Sequence, residues 1–308
     1  MEILRATDLN KVFQTGKTVV KAVRGVTLGC GAGEIVAFLG ANGAGKTTTL
    51  KMLTGLIRPD SGTVRVCGGD PHADTRVLGH IGAVLEGNRN TYWKLTVQEN
   101  FEYFGALRGL SRQVLRERIP GLLDQFHLAE KRRTQVQQLS RGMQQKLAIA
   151  LSILHQPKLL LLDEPTLGLD LQATLDVKAM VRDLAAQGCG VLLTTHQLDV
   201  AEELADRVII MRGGEIVTEQ PTRELIRDYS GSAYEVRFRG ELLPPQRSRL
   251  SLLGAEETTP GTLTYFGVPR GMYDLLQALQ PHELLAVEPR VADLAEVFLK
   301  VQQEGVYV

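Results

Sequence analysis

The octet GANGAGKT at residues 40–47 constrains this chain more than any other feature in it. It fits the pattern G-x-x-x-x-G-K-[ST]. It follows a short apolar stretch, EIVAFL (Glu34–Leu39), and precedes a stretch able to run as a helix, TTTLKMLTGL (Thr47–Leu56). Strand, glycine loop and helix in that order form an anion site, because loop N–H groups and the positive end of a helix converge on a phosphate. Gly40, Gly43 and Gly45 let the backbone wrap a phosphate chain without a Cβ in the way. Lys46 is placed to reach the β- and γ-phosphates, and the Thr47 hydroxyl to ligate Mg²⁺. A chance glycine-rich turn would not bring the flanking strand, the Lys-Thr pair and the helix with it.

The rest of the chain bounds the possibilities. A length of 308 residues suits about two domains. The formal net charge is zero, so there is no global electrostatic footprint for nucleic acid, and no nucleic-acid partner is expected. The three cysteines, Cys30, Cys67 and Cys189, are far apart, which suggests neither a zinc site nor a disulfide framework and fits a reducing cytosol. The start, MEILRATDLNKVF, lacks the apolar core of a signal peptide, and no run approaches the roughly 20 apolar residues of a membrane helix. Any membrane role is therefore expected to come through a partner.

Patterning along the chain predicts an α/β domain. Ile3–Asn10 and Val19–Leu28 read as strands joined by a turn near Gly16, and Thr63–Val66 and Ile81–Leu85 as further strands. Helical character runs from Val97 to about Phe126, with breaks expected at Gly109 and at Pro120-Gly121. Ser140–Leu154 has helical spacing, and Leu159–Leu162 is a continuous apolar run of the kind found in a buried parallel strand. Asp170–Gln187 reads as a helix and Val191–Thr195 as a buried strand, and Val208–Met211 and Glu215–Thr218 form a hairpin around Gly213-Gly214. After about Ser230 the texture shifts to a small α+β domain, with strands at Tyr234–Phe238 and Thr262–Phe266 and helices at Tyr273–Leu279 and Val291–Val301. The expected division is 1–228, with a helical subdomain at about 95–155, and 229–308.

Beyond the phosphate loop, LLLLDEP (Leu159–Pro165) ends an apolar strand in two carboxylates. A strand end puts Asp163 and Glu164 at the carboxyl edge of the sheet, where α/β folds bind ligands. Asp163 is expected to hold Mg²⁺, and Glu164 to polarise an attacking water. His196 follows the strand VLLTT, where a neutral imidazole can accept from water or donate to a phosphate. LSRGMQQK (Leu139–Lys146) is a turn opening a helix. Its Ser140 is a plain N-cap on one reading, and with the Gly142 backbone an anion site on another. The phosphate loop already provides for the chain's own nucleotide, so a second anion site makes most sense if it serves another subunit's ATP.

The ordered set GANGAGKT, LSRGMQQK, LLLLDEPTLGLD and TTH resembles the ATPase subunit of ABC transporters, over roughly residues 1–225. The resemblance implies a P-loop NTPase fold of ABC ATPase type, with a mixed sheet core, an antiparallel β subdomain and a helical subdomain. It also implies two ATPases in a head-to-tail sandwich around two ATPs, with Mg²⁺ as cofactor and a separate membrane permease as partner. Phe13 matches the aromatic that stacks on adenine; its alternative is a place in the hairpin core. Gly40, Asn42, Gly43, Ala44, Gly45, Lys46, Thr47 and Thr48 match the phosphate loop. Ser140 and Gly142 match the signature loop that touches the opposite ATP. Asp163, Glu164 and His196 match the Mg²⁺ carboxylate, the catalytic carboxylate and the switch histidine, and Asp170 closes the segment that communicates across the dimer.

Two departures stand out. Arg141 and Met143 replace the first Gly and the Gln of the usual LSGGQ, a form similar to the drug- and polysaccharide-export branch. Glu86 stands where the family usually places a Gln that touches Mg²⁺; a carboxylate can still ligate the ion but adds negative charge near a triphosphate. The resemblance places the chain at the cytoplasmic face of the cell membrane, with Glu86–Trp93 as a candidate permease surface, although Tyr92 and Trp93 could equally be core aromatics. The tail LAEVFLKV is similar to an accessory domain of export-type ATPases. The rival reading is a soluble ABC-type ATPase acting on DNA or the ribosome. That reading calls for a long coiled coil, zinc cysteines or two ATPase modules, and the sequence has none of these.

Overall fold

A computed structural model describes the chain apart from residues 17, 86–89, 231–232, 267–270, 291 and 304–308. The chain divides into two compact units, Met1–Thr222 and Arg223–Val308.

The first unit contains a three-stranded antiparallel sheet and a six-stranded sheet. Strands β1 (Glu2–Thr15) and β2 (Thr18–Gly31) form a long antiparallel hairpin, and β4 (Ser61–Val66) joins the outer side of β1. Between them come β3 (Ile35–Gly40) and helix α1 (Lys46–Leu53), the strand and helix that flank the phosphate loop. The central six-stranded sheet has the order β5-β6-β7-β3-β8-β9, from β5 (Ile81–Val84), β6 (Leu159–Asp163), β7 (Gly190–Thr194), β8 (Arg207–Arg212) and β9 (Glu215–Pro221). All its neighbours run parallel except the β8–β9 hairpin. Strands β3, β6 and β7 are buried along their whole length. That is the requirement a parallel strand covered on both faces places on its residues, and it explains the unbroken runs IVAFL and LLLL.

The helical part comprises α2 (Val97–Leu107), α3 (Arg112–Gln125) and α4 (Arg141–Ile153), with α5 (Leu171–Ala186) and α6 (Leu198–Leu204) following β6 and β7. Helix α2 opens on a reciprocal capping box between Thr96 and Glu99 and ends just before Gly109, whose φ is 73°. The break expected at Pro120-Gly121 does not occur: α3 continues through Pro120 to Gln125. Leu115, Ile119 and Leu123 form one buried stripe on α3. Burying each such side chain stabilises by about 1.5–3 kcal/mol, which offsets the hydrogen bond that proline forfeits.

The second unit holds a four-stranded antiparallel sheet of order β11-β12-β10-β13. Its elements are α7 (Thr222–Ser230, which begins at the boundary), β10 (Ala233–Arg239), α8 (Pro244–Leu252), β11 (Ala255–Thr259), β12 (Thr262–Phe266), α9 (Met272–Ala278), β13 (Glu283–Pro289) and α10 (Leu294–Gln303). The core of this unit gathers Val236, Phe238, Leu250, Leu263, Tyr265 and Leu275. Sequence patterning found two of its four strands. Among the described residues no helix is long and apolar enough to cross a membrane.

Candidate active site

The carboxyl ends of β3, β6 and β7 surround a cleft of about 510 Å³, lined along one side by Asn42, Gly43, Ala44, Gly45, Lys46, Thr47 and Thr48. The loop reaches this position because β3 stops at Gly40 and α1 starts at Lys46, so the five residues 41–45 turn through the gap. Gly45 caps α1 in a left-handed conformation, φ 106°, and a Cβ there would lie 2.3 Å from the Ala22 carbonyl oxygen. No other residue fits that position. The Lys46 ammonium donates to the Gly40 and Ala41 carbonyl oxygens at 2.7 and 3.2 Å, which holds it inside the loop.

Asp163, at the end of β6, is only 4% exposed. The Thr47 hydroxyl donates to its Oδ2 at 2.9 Å, and the Thr194 hydroxyl donates to its Oδ1. Thr47 and Asp163 thus present two hard oxygen donors beside the phosphate loop, a donor set that suits Mg²⁺ completed by phosphate oxygens and water. Glu164 adopts φ 52°, a left-handed backbone that costs a non-glycine residue about 1–2 kcal/mol. Its amide is bonded to the Thr194 carbonyl oxygen (3.1 Å) and hydroxyl (3.2 Å). This turn carries the side chain into the cleft, where Oε1 lies 3.0 Å from His196 Nδ1 and Oε2 is buried without a hydrogen-bond partner. A buried carboxylate oxygen left unpaired in a cleft is poised for a ligand or a water.

Of the other residues singled out in the sequence, Phe13 is 38% exposed, so it is not in the hairpin core; the Lys11 ammonium lies 5.7 Å from its ring, and its cross-strand neighbour Val20 lines the cleft. Ser140 caps α4 by accepting from the Met143 amide at 3.2 Å, and Asp170 caps α5 by accepting from the Ala173 amide at 2.8 Å. Ser140, Gly142 and Asp170 do not line the chain's own cleft. Glu86 lies outside the described residues. Tyr92 and Trp93 are exposed, and Tyr92 packs edge-on against Tyr103, so neither is a core aromatic. Sequence reasoning missed the wall formed by Val20, Lys21, Ala22 and Gly213, and it missed Thr194. Only the last left a signal, a hydroxyl at the end of an apolar strand. A second cleft, of about 550 Å³, opens among α3, α5 and the chain before β6 and β7, but it has neither the amide-rich loop nor the paired carboxylates.

Residues 23–167 match the family model described as ABC transporter. The chain is 37% identical over 216 residues to ABC transporter ATP-binding protein NatA of Bacillus subtilis, covering 70% of this chain and 88% of that protein. It is 36% identical to Nod factor export ATP-binding protein I of Cupriavidus metallidurans, covering 97% of each. The chain belongs to the ABC transporter ATP-binding subunits. Among solved structures, an ATP-binding subunit of an ABC transporter matches with a TM-score of 0.64 at 31% identity, over 74% of this chain and 93% of that one. A dimeric ATP-binding cassette in a post-hydrolysis state bound to ADP and Pi matches with a TM-score of 0.65 at 26% identity, over 72% of this chain and 99% of that one. The ABC ATPase fold, ATP binding and the ATPase activity expected from the motifs therefore stand.

Proposed function

We propose that this ABC subunit hydrolyses MgATP between two copies of itself and drives a separate export permease from the cytoplasmic face of the cell membrane. The observation that carries the catalytic part is the convergence of Lys46, Thr47, Asp163, Glu164 and His196 on one cleft. Lys46 and the loop amides bind the phosphates, and Thr47 and Asp163 hold Mg²⁺. When bound, the ion neutralises charge on the transferring phosphate. Glu164 takes the proton of the attacking water, and His196, 3.0 Å from it, orients the carboxylate. Phe13, exposed beside the cleft wall, stacks on the adenine. Ser140, Gly142 and Asp170 serve the nucleotide of the second copy.

Export is supported by relatives whose names include Nod factor export and daunorubicin/doxorubicin resistance. The exposed aromatic group Tyr92, Trp93 and Tyr103 gives the permease an apolar surface. The chain after residue 228 acts as an accessory unit. Purifying the tagged chain from solubilised membranes tests the transport assignment: an integral membrane protein is expected to co-purify in stoichiometric amount. Recovery with ribosomes or DNA, and with no membrane protein, would instead favour the soluble ATPase reading.

A further inference from the structure

The N-terminal turns of α4 and α5 lie against each other, and an ion pair joins their second turns. Ahead of α5, Arg141 Nη1 lies 3.4 Å from where a Cβ on Gly168 would sit. In the first turn, a Cβ on Gly142 would come within 2.6 Å of Ala173 Cβ, so the helices pack too closely there for a side chain. In the second turn, Lys146 and Asp176 form an ion pair, and the Gln172 amide also donates to Asp176 at 2.9 Å. Lys146 is 9% exposed, too buried to leave its charge unmatched. That hydrogen bond from Lys146 holds the Asp176 carboxyl below the usual carboxylate range. Neither residue lines the chain's own nucleotide cleft. Both helices carry, at their capped ends, the segments assigned above to the second copy: Ser140–Gly142 on α4 and Asp170 on α5.

We infer that Lys146 and Asp176 are positioning residues that lock these two segments into one surface, so that both engage the second copy's nucleotide together. The inference rests on the composite-site reading above. A rigid pair of helix ends presents the cap hydroxyl of Ser140 and the segment before Asp170 in fixed register, so the ordering is done before the two copies meet. Without the ion pair each helix end could still cap its own amides and Gly142 would still face Ala173, but no charged contact would fix the register of the second turns. A pair that only supported the fold would be replaceable by apolar side chains of similar size, because buried ion pairs contribute little net stability.

The test uses the full chain and the double variant Lys146→Met/Asp176→Leu, with Lys146→Arg as the conservative control. Melting temperature, affinity for a fluorescent ATP analogue, kcat and MgATP-dependent dimerisation are measured, the last in a Glu164→Gln background. The double variant should keep its melting temperature and its analogue affinity within about twofold, while kcat and dimerisation fall by about tenfold or more, the range typical of coupling between sites. Lys146→Arg should restore both. Wild-type kcat and dimerisation in the double variant would overturn the inference, as would a loss of nucleotide affinity and melting temperature in parallel with kcat. Ser140→Arg separates the two layers. If it hydrolyses ATP normally, the composite site itself fails. If it blocks hydrolysis while the double variant does not, only the lock fails.

Discussion

Lys46 holds its ammonium against two neutral carbonyl oxygens of its own loop, at 2.7 and 3.2 Å. A phosphate oxygen carries a full charge, so it makes a stronger partner for the ammonium than a backbone carbonyl does. Replacing Lys46 by Ala removes charge-assisted hydrogen bonds of about 1.5–3 kcal/mol each, so MgATP affinity or turnover should fall by one to two orders of magnitude. Calorimetric titration together with an ATPase assay would measure it, and equal rates for variant and wild type would remove the loop from the site. This residue, Thr47 and Asp163 were legible in the sequence because each sits in a short contiguous motif whose spacing is set by one loop or one strand end. Ala22 was not. Its carbonyl oxygen walls off Gly45 only because β2 passes beside the loop, and a linear pattern does not encode which backbone atoms become neighbours.

At the scale of elements, His155 lies just past the end of α4 and ties that segment to β5. Its Nε2 lies 3.0 Å from the Ile81 carbonyl oxygen and so carries the proton, while Nδ1 is buried without a partner. Burial, together with the positive charge of Arg108 and Arg118 nearby, pushes its pKa from 6.5 down to about 4. The folded state therefore resists a proton that the unfolded chain accepts. The contribution of neutral His155 is fully present above pH 6.5 and is lost as pH falls from 6.5 through about 4. Urea unfolding at pH 7.5 and pH 5 should show a loss of stability that shrinks in His155→Gln. An equal loss in the variant would assign the pH dependence to other groups. Elements differed in how readable they were for a related reason. The runs in β3 and β6 announce burial on both faces, whereas β11 (AEETT) is mostly exposed and carries no apolar signal to find. Pro120 misled in the opposite direction, since a local breaker was outweighed by a buried stripe that needs the tertiary fold to exist.

At the scale of the molecule, every residue lining the nucleotide cleft lies in Met1–Thr222. Deleting residues 223–308 should leave ATP-analogue affinity within about threefold of wild type, a shift below 1 kcal/mol. Loss of binding in a folded truncation would contradict an accessory role for the second unit.

The composite site is tested most directly by Glu164→Gln in the full chain, followed by size-exclusion chromatography with and without MgATP alongside a hydrolysis assay. Gln preserves the shape of the turn and its amide bonds to Thr194 but lacks the basicity of the carboxylate. Hydrolysis should fall by at least about 100-fold, the lower end of what a general base contributes. With the nucleotide retained and two copies held around it, a dimer should accumulate that is absent without MgATP. Near-normal hydrolysis by a protein that stays monomeric in MgATP would contradict both the assignment of Glu164 and the sharing of the site between two copies.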